Sequence, residues 1–162
     1  MTADISSKLQ FYKFLAPAKL NLFLKIKSKR ADGYHNLQSV FQLISLYDEV
    51  LIRVRDDDKI KIKNSSPLIS KKNDIAYKAC RLILNKMSIG VDIEIKKKIP
   101  IGAGLGGGSS DAATILMGIN KICKLGLSKE ELMQLALKLG ADVPFFIFGE
   151  NAWAEGIGDQ LY

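Results

Sequence analysis

The chain has 162 residues, 48% hydrophobic and 25% charged, with a formal net charge of +7; this describes one globular domain with a single core and excludes a fibrous or disordered chain. No apolar run approaches the length of a membrane span and residues 1–10 carry no signal-peptide stretch, so a cytoplasmic protein without a membrane partner is expected. Two cysteines and one histidine exclude a disulfide framework and a standard structural zinc site.

Residues 9–15 and 18–27 read as strands parted by Pro17, followed by the turn-like Ala31-Asp32-Gly33. Residues 39–46 and 49–55 read as two more strands and 59–63 as a short edge strand; Asn64-Ser65-Ser66-Pro67 marks a loop. A helix is expected over 75–86, capped by Asn73 or Asp74. Val91, Ile93 and Ile95 alternate with Asp92, Glu94 and Lys96 as a half-buried strand. Behind a glycine-rich segment, Ala112, Ile115, Leu116, Ile119 and Cys123 fall at helical spacing, with the helix starting at Ser109 or Ser110. Ser128 and Glu131 form a capping box for a last helix carrying Leu132, Leu135, Ala136 and Leu139, with Gly140 as its stop. Cys80 and Cys123, both in helical patterns, read as buried free thiols. The order predicts an α+β fold with helices packed on one side of a mixed sheet.

The segment Gly102-Ala103-Gly104-Leu105-Gly106-Gly107-Gly108-Ser109-Ser110-Asp111 is the strongest functional signal. Five glycines in seven residues exceed what chain reversal needs. Glycine permits positive φ and close approach of backbone to ligand, and a helix opening behind the loop turns free N–H groups and its positive dipole end towards it. Together these predict a phosphate cradle. Gly102, Gly104 and Gly107 satisfy G-x-G-x-x-G, but no strand with a terminal acidic residue follows, as a dinucleotide fold requires. Gly108-Ser109 replaces the Lys-Ser/Thr of a P-loop, and no H-R-D or D-F-G run is present.

The run from Pro100 to Ser110 resembles the ATP loop of the GHMP superfamily of small-molecule kinases. Gly106 to Ala113, the segments Ala16-Pro17-Ala18-Lys19-Leu20-Asn21-Leu22 and Arg30-Ala31-Asp32-Gly33-Tyr34-His35-Asn36-Leu37, and Gly140-Ala141-Asp142-Val143-Pro144-Phe145-Phe146 are similar to the branch acting on 4-diphosphocytidyl-2-C-methyl-D-erythritol. The resemblance implies the N-terminal fold of that superfamily, itself like a ribosomal-protein domain, and ATP-dependent phosphorylation of the substrate's 2-hydroxyl in non-mevalonate isoprenoid precursor synthesis. It implies ATP and Mg²⁺ as companions, without a metal cage in the chain. Residues 1–162 are then expected to be the N-terminal, ATP-binding domain, with the C-terminal domain absent.

The resemblance also assigns roles. Lys19 and Asn21 share one side of a strand whose even positions, Ala16 to Leu24, are small or apolar. A strand lysine ordinarily faces water; the resemblance implies instead that Lys19 lies in the active site beside Asp142. Asp142 is implied to receive or orient the acceptor's hydroxyl proton, with the Lys19 ammonium holding it ionised. Tyr34 and His35 are implied to bind the cytosine by stacking and hydrogen bonding, with Asn21 among the substrate contacts. Pro100, Gly102, Gly104, Gly106, Gly107, Gly108, Ser109 and Ser110 would embrace the ATP phosphates, with Lys97 near the nucleotide. One departure stands at Asp74, where the resembled kinases carry Asn. Two alternatives stay open: a kinase for another small alcohol such as mevalonate or homoserine, which Tyr34-His35 argues against, and a basic RNA-binding module. Lysines such as Lys59, Lys61 and Lys63 alternate with Ile60 and Ile62 as the wet face of a strand. That pattern argues against nucleic acid as the main partner.

Overall fold

The computed structural model describes residues 10–31, 33, 35–65, 74–85 and 87–162; Asp32, Tyr34, Pro67 and Asn73 lie outside them. A 21-residue strand, β2 (His35–Arg55), organises a six-stranded mixed sheet. Along one edge it pairs antiparallel with β1 (Tyr12–Lys29). Along the other, its later part pairs with β4 (Gly90–Lys96) and its earlier part with β5 (Ala152–Glu155). Strand β3 (Ile60–Asn64) runs parallel to β4, the crossover between them carried by helix α1 (Ile75–Ile83), and β6 (Gln160–Leu161) pairs with β5.

The expected strand pairs 9–15 with 18–27, and 39–46 with 49–55, are in fact two long strands. Pro17 does not interrupt β1, because the register slips between Pro17 and Ala18. A bulge is where the ladder tolerates a residue without an N–H. Past that slip the apolar even face of β1 runs into solvent: Leu22 is 59% and Leu24 52% exposed. Among the described residues β1 pairs with β2 alone.

The core lies between the sheet and the helices. Val50, Ile52, Ile93 and Ile95 meet Ile115, Leu116 and Ile119 of α2 (Gly107–Ile122), the helix that packs on β1 and β2 and touches the other three. Cys80 is buried and Cys123 half-buried, both free. The expected capping box closes the start of α3 (Lys129–Leu137), where Ser128 Oγ accepts from the Glu131 amide and the Glu131 carboxylate accepts from the Ser128 amide. Gly140 is not a left-handed stop; the helix ends at Lys138, and the Gly140 amide donates back to Ala136 O at 3.3 Å. A short helix the sequence did not suggest, α4 (Val143–Phe148), follows at once and buries Val143, Phe145 and Phe146. On α1 it is Asp74 that caps, accepting from the Ala76 amide at 2.9 Å. The opposite face of the sheet is laced by ion pairs, Arg53 and Arg55 both reaching Asp92 at 2.6 and 2.9 Å.

Gly118 lets α2 press this closely on the sheet. A Cβ there would lie 2.6 Å from Ile52 Cδ1 and 3.2 Å from Phe14 Cε2. Gly118→Val should therefore cost about 1–3 kcal/mol through overpacking, read as a lower urea midpoint at unchanged slope.

Candidate active site

The glycine segment bridges β4 and α2. Gly102, Gly104 and Gly106 hold φ values of +75°, +73° and +71°, the region where side chains are strained. Gly106 is the N-cap, so α2 begins at Gly107 rather than at Ser109 or Ser110. Its first turn closes with the Ser110 amide donating to Gly106 O at 2.9 Å. The amides of Gly107, Gly108 and Ser109 consequently have no acceptor within the helix and stand at its positive end. The loop is tied to the sheet by the Lys19 amide, which donates to Leu105 O at 3.0 Å.

Lys19 stands on one side of this loop. Its side chain is only 3% exposed and its ammonium lies 3.2 Å from Asp142 Oδ2, at the N-cap of α4. It also donates to Asn21 Oδ1 at 2.7 Å and sits 4.3 Å from the centre of the Phe41 ring. Phe41, Phe145 and Phe146 form an edge-to-face aromatic bed beneath it. A buried ammonium is tolerable when a carboxylate and further polar or π contacts replace its water. The structure thus brings Lys19, Asn21 and Asp142 together.

Lys97 stands on the other side. Of the run Lys96-Lys97-Lys98, only the middle ammonium turns inward, where it bonds Asp48 Oδ2 and, at 2.7 Å, Asp111 Oδ2. Asp48 is fully buried, and its other oxygen accepts from the amides of Lys98 and Ile99 at 2.5 and 2.8 Å. Burial works to lower the Lys97 pKa, but the charge of Asp111 and the hydrogen bonds to both carboxylates prevail and raise it. Burial pushes Asp111 up to about 7, with Lys97 pulling it down and Asp48 pushing it further up. A Cβ on Gly107 would lie 3.1 Å from Lys97 Nζ, so the ammonium sits directly beneath the first helical residue.

The remaining candidates are dispersed. Ser109 lines the cleft described next, whereas Ser110 is fully buried behind it. Pro100 joins Lys97 in lining a smaller recess of about 110 Å³ under the loop. His35 is exposed at the far end of the β1–β2 arm; the register partner of Lys19 is Leu43. Strand spacing puts His35 up to about 26 Å from that point. Tyr34 lies outside the described residues. Asp48 and Asp111 are the residues sequence reasoning missed as a site. Asp111 stood in the quoted motif without a role, and Asp48 fell in the gap between two expected strands.

A cleft of about 360 Å³ unites the loop and Asp142: Gly102, Gly104, Gly106, Gly107, Gly108 and Ser109 line it together with Ile75 and Asp142. Residues 74–150 match the family described as GHMP kinases N terminal domain. The 4-diphosphocytidyl-2-C-methyl-D-erythritol kinases of Burkholderia thailandensis and Burkholderia ambifaria are 54% and 53% identical over 149 residues, covering 91% of this chain and 51% of each relative. A crystal structure of 4-(cytidine 5'-diphospho)-2C-methyl-D-erythritol kinase superposes with a TM-score of 0.79 at 39% identity, covering 93% of this chain and 54% of that one. The Methanococcus jannaschii mevalonate kinase shares the fold at 17% identity, with a TM-score of 0.69 over 94% of this chain and 55% of that one. The chain spans about half the length of the curated relatives it matches.

A Cβ on Gly106 would lie 2.7 Å from Phe146 Cζ and 3.2 Å from Lys19 Cγ, at positive φ. Gly106→Val should displace the loop against both and abolish nucleotide binding at concentrations that saturate the native chain, measured by titration with a fluorescent ATP analogue.

Proposed function

We propose that this chain, similar to the GHMP kinases N terminal domain over residues 74–150 and to 4-diphosphocytidyl-2-C-methyl-D-erythritol kinases over most of its length, is the ATP-binding domain of a kinase that phosphorylates the 2-hydroxyl of 4-diphosphocytidyl-2-C-methyl-D-erythritol. One observation carries this reading: the glycine loop and Asp142 line the same cleft. A phosphate on the loop amides and a hydroxyl at Asp142 would share one space. In-line phosphoryl transfer asks for little more than such positioning, with charge to stabilise the transferring group.

In this mechanism the amides of Gly107, Gly108 and Ser109 hold the ATP phosphates. Asp142, whose side chain is 38% exposed, orients the acceptor hydroxyl and takes its proton as the oxygen attacks the γ-phosphorus. The bond from that phosphorus to the bridging oxygen breaks, and ADP leaves with the electron pair. Lys19 holds the carboxylate in place and offsets charge developing on the phosphoryl oxygens. Among the described residues no group of three or more acidic, histidine or cysteine side chains could hold a metal ion. Mg²⁺ would arrive with ATP, where it would offset phosphate charge.

The separation of His35 from the Lys19–Asp142 pair supports an extended acceptor. A compact alcohol could not touch both, whereas a nucleoside diphosphate conjugate carries a base at one end and a polyol at the other. Competition by CMP should distinguish this acceptor from a small alcohol.

Mixing the chain with Mg-ATP, with and without 4-diphosphocytidyl-2-C-methyl-D-erythritol, should show substrate-dependent ADP release. Asp142→Asn should lower that turnover by about 10²–10⁴-fold, the usual worth of a positioned acid–base group, while leaving the Kd for ATP within a few-fold. An Asn variant that kept most of its turnover would remove Asp142 from the acceptor side.

A further inference from the structure

The Asp48–Lys97–Asp111 cluster has the wrong charge for its place. Two carboxylates share one ammonium, so the fully ionised cluster carries a net negative charge beneath the first turn of α2. All three side chains are at most 8% exposed, so solvent screens them little. A phosphate settling on the amides above would meet that charge across a single residue, Gly107, whose Cβ position lies 3.1 Å from Lys97 Nζ.

The two carboxylates are not equivalent. Asp48 uses both oxygens, one on Lys97 and one on two backbone amides. Asp111 uses one oxygen on Lys97, and its Oδ1 is buried with no hydrogen-bond partner among the described residues. A buried carboxylate oxygen without a donor is costly as an anion, and more so beside a second carboxylate.

On the premise that the loop binds nucleotide, we propose that Asp111 is a positioning residue that takes up a proton as phosphate binds, so that Lys97, anchored by Asp48, meets the phosphate with its charge no longer over-compensated. Both carboxylates act through Lys97 and the loop and do not touch the reacting atoms. Burial, with Asp48 beside it, pushes the Asp111 carboxyl up to about 7 against the pull of Lys97.

Charged and titratable groups lie around Asp111 on the neighbouring elements. From β2 comes Asp48, and from the segment after β4 comes Lys97. Helix α1 contributes Asp74, whose carboxylate caps that helix, and the Cys80 thiol, pushed up to about 12 by burial and so neutral throughout. The Lys19–Asp142 pair lies across Gly106 from β1 and α4. The sign follows: bound phosphate favours the protonated carboxyl, so binding takes up protons and weakens as pH rises through the Asp111 pKa.

The test is calorimetric titration of the chain with Mg-ADP between pH 6 and 9, in buffers of different ionisation enthalpy, to count protons taken up. The native chain should take up protons at pH 7.5 to 8, where the nucleotide itself is fully ionised. Its affinity should fall by up to about tenfold across the range, the equivalent of one pKa unit. Asp111→Asn, neutral at every pH, should bind with a flat profile and without that uptake. Equal proton counts in the native chain and the Asn variant would overturn the proposal, as would a native chain that binds Mg-ADP without proton uptake even if the variant failed to fold. Absence of binding by the native chain at every pH would overturn the nucleotide reading itself, and this proposal with it.

Discussion

An ammonium removed from water costs several kcal/mol unless carboxylates and other polar groups replace its hydration, and this fold buries two of them against one glycine loop. Lys19 lies on one side with Asp142, Lys97 on the other with Asp48 and Asp111. Each carboxylate comes from a different element: β2, the first turns of α2 and the start of α4. The ion pairs therefore lock the relative positions of sheet and helices where the loop is suspended. The glycines follow from the same constraint, since Gly106 and Gly107 occupy the space between the two lysines and neither has room for a side chain.

What could be read from the sequence was what local chemistry specifies. The Ser128–Glu131 capping box, the apolar stripe of Ala112 to Ile119, and the strand of Val91, Ile93 and Ile95 all depend on neighbours a few residues away, and all are present. The glycine loop was legible because so many glycines have few other uses. Long-range features were hidden. Pro17 looked like a break because a bulge between distant strands, which removes the need for its missing donor, leaves no local mark. Asp48 fell unread between two expected strands because its three partners lie about fifty positions away in the chain. Helix α4 was missed because its six residues are too few for a period to declare itself.

The charged pairs of this fold gather around one opening. The parallel β3–β4 unit and the long β1–β2 pair belong to one sheet, joined by the β2–β4 ladder, and α2 lies across β1 and β2. The loop sits at that junction, with the donor cradle on the end of α2 and the acidic group on α4. The long arm of β1 and β2 carries Asn21 at its base and His35 at its tip. A single ladder of strand hydrogen bonds thus relates the Lys19–Asp142 end of the arm to its His35 tip.

That arm has a consequence for the chain in solution. Among the described residues β1 is an outer strand, and beyond Lys19 its free side runs beside exposed Leu20, Leu22, Leu24 and Ile26. Such an edge can template pairing with another copy and seed aggregation. Lys25, Lys27 and Lys29, all exposed, and two further register slips along the same stretch oppose it through like-charge repulsion and irregular spacing. Because salt screens exposed charges, the guard weakens as ionic strength rises, and self-association visible by light scattering should grow with added salt rather than fade.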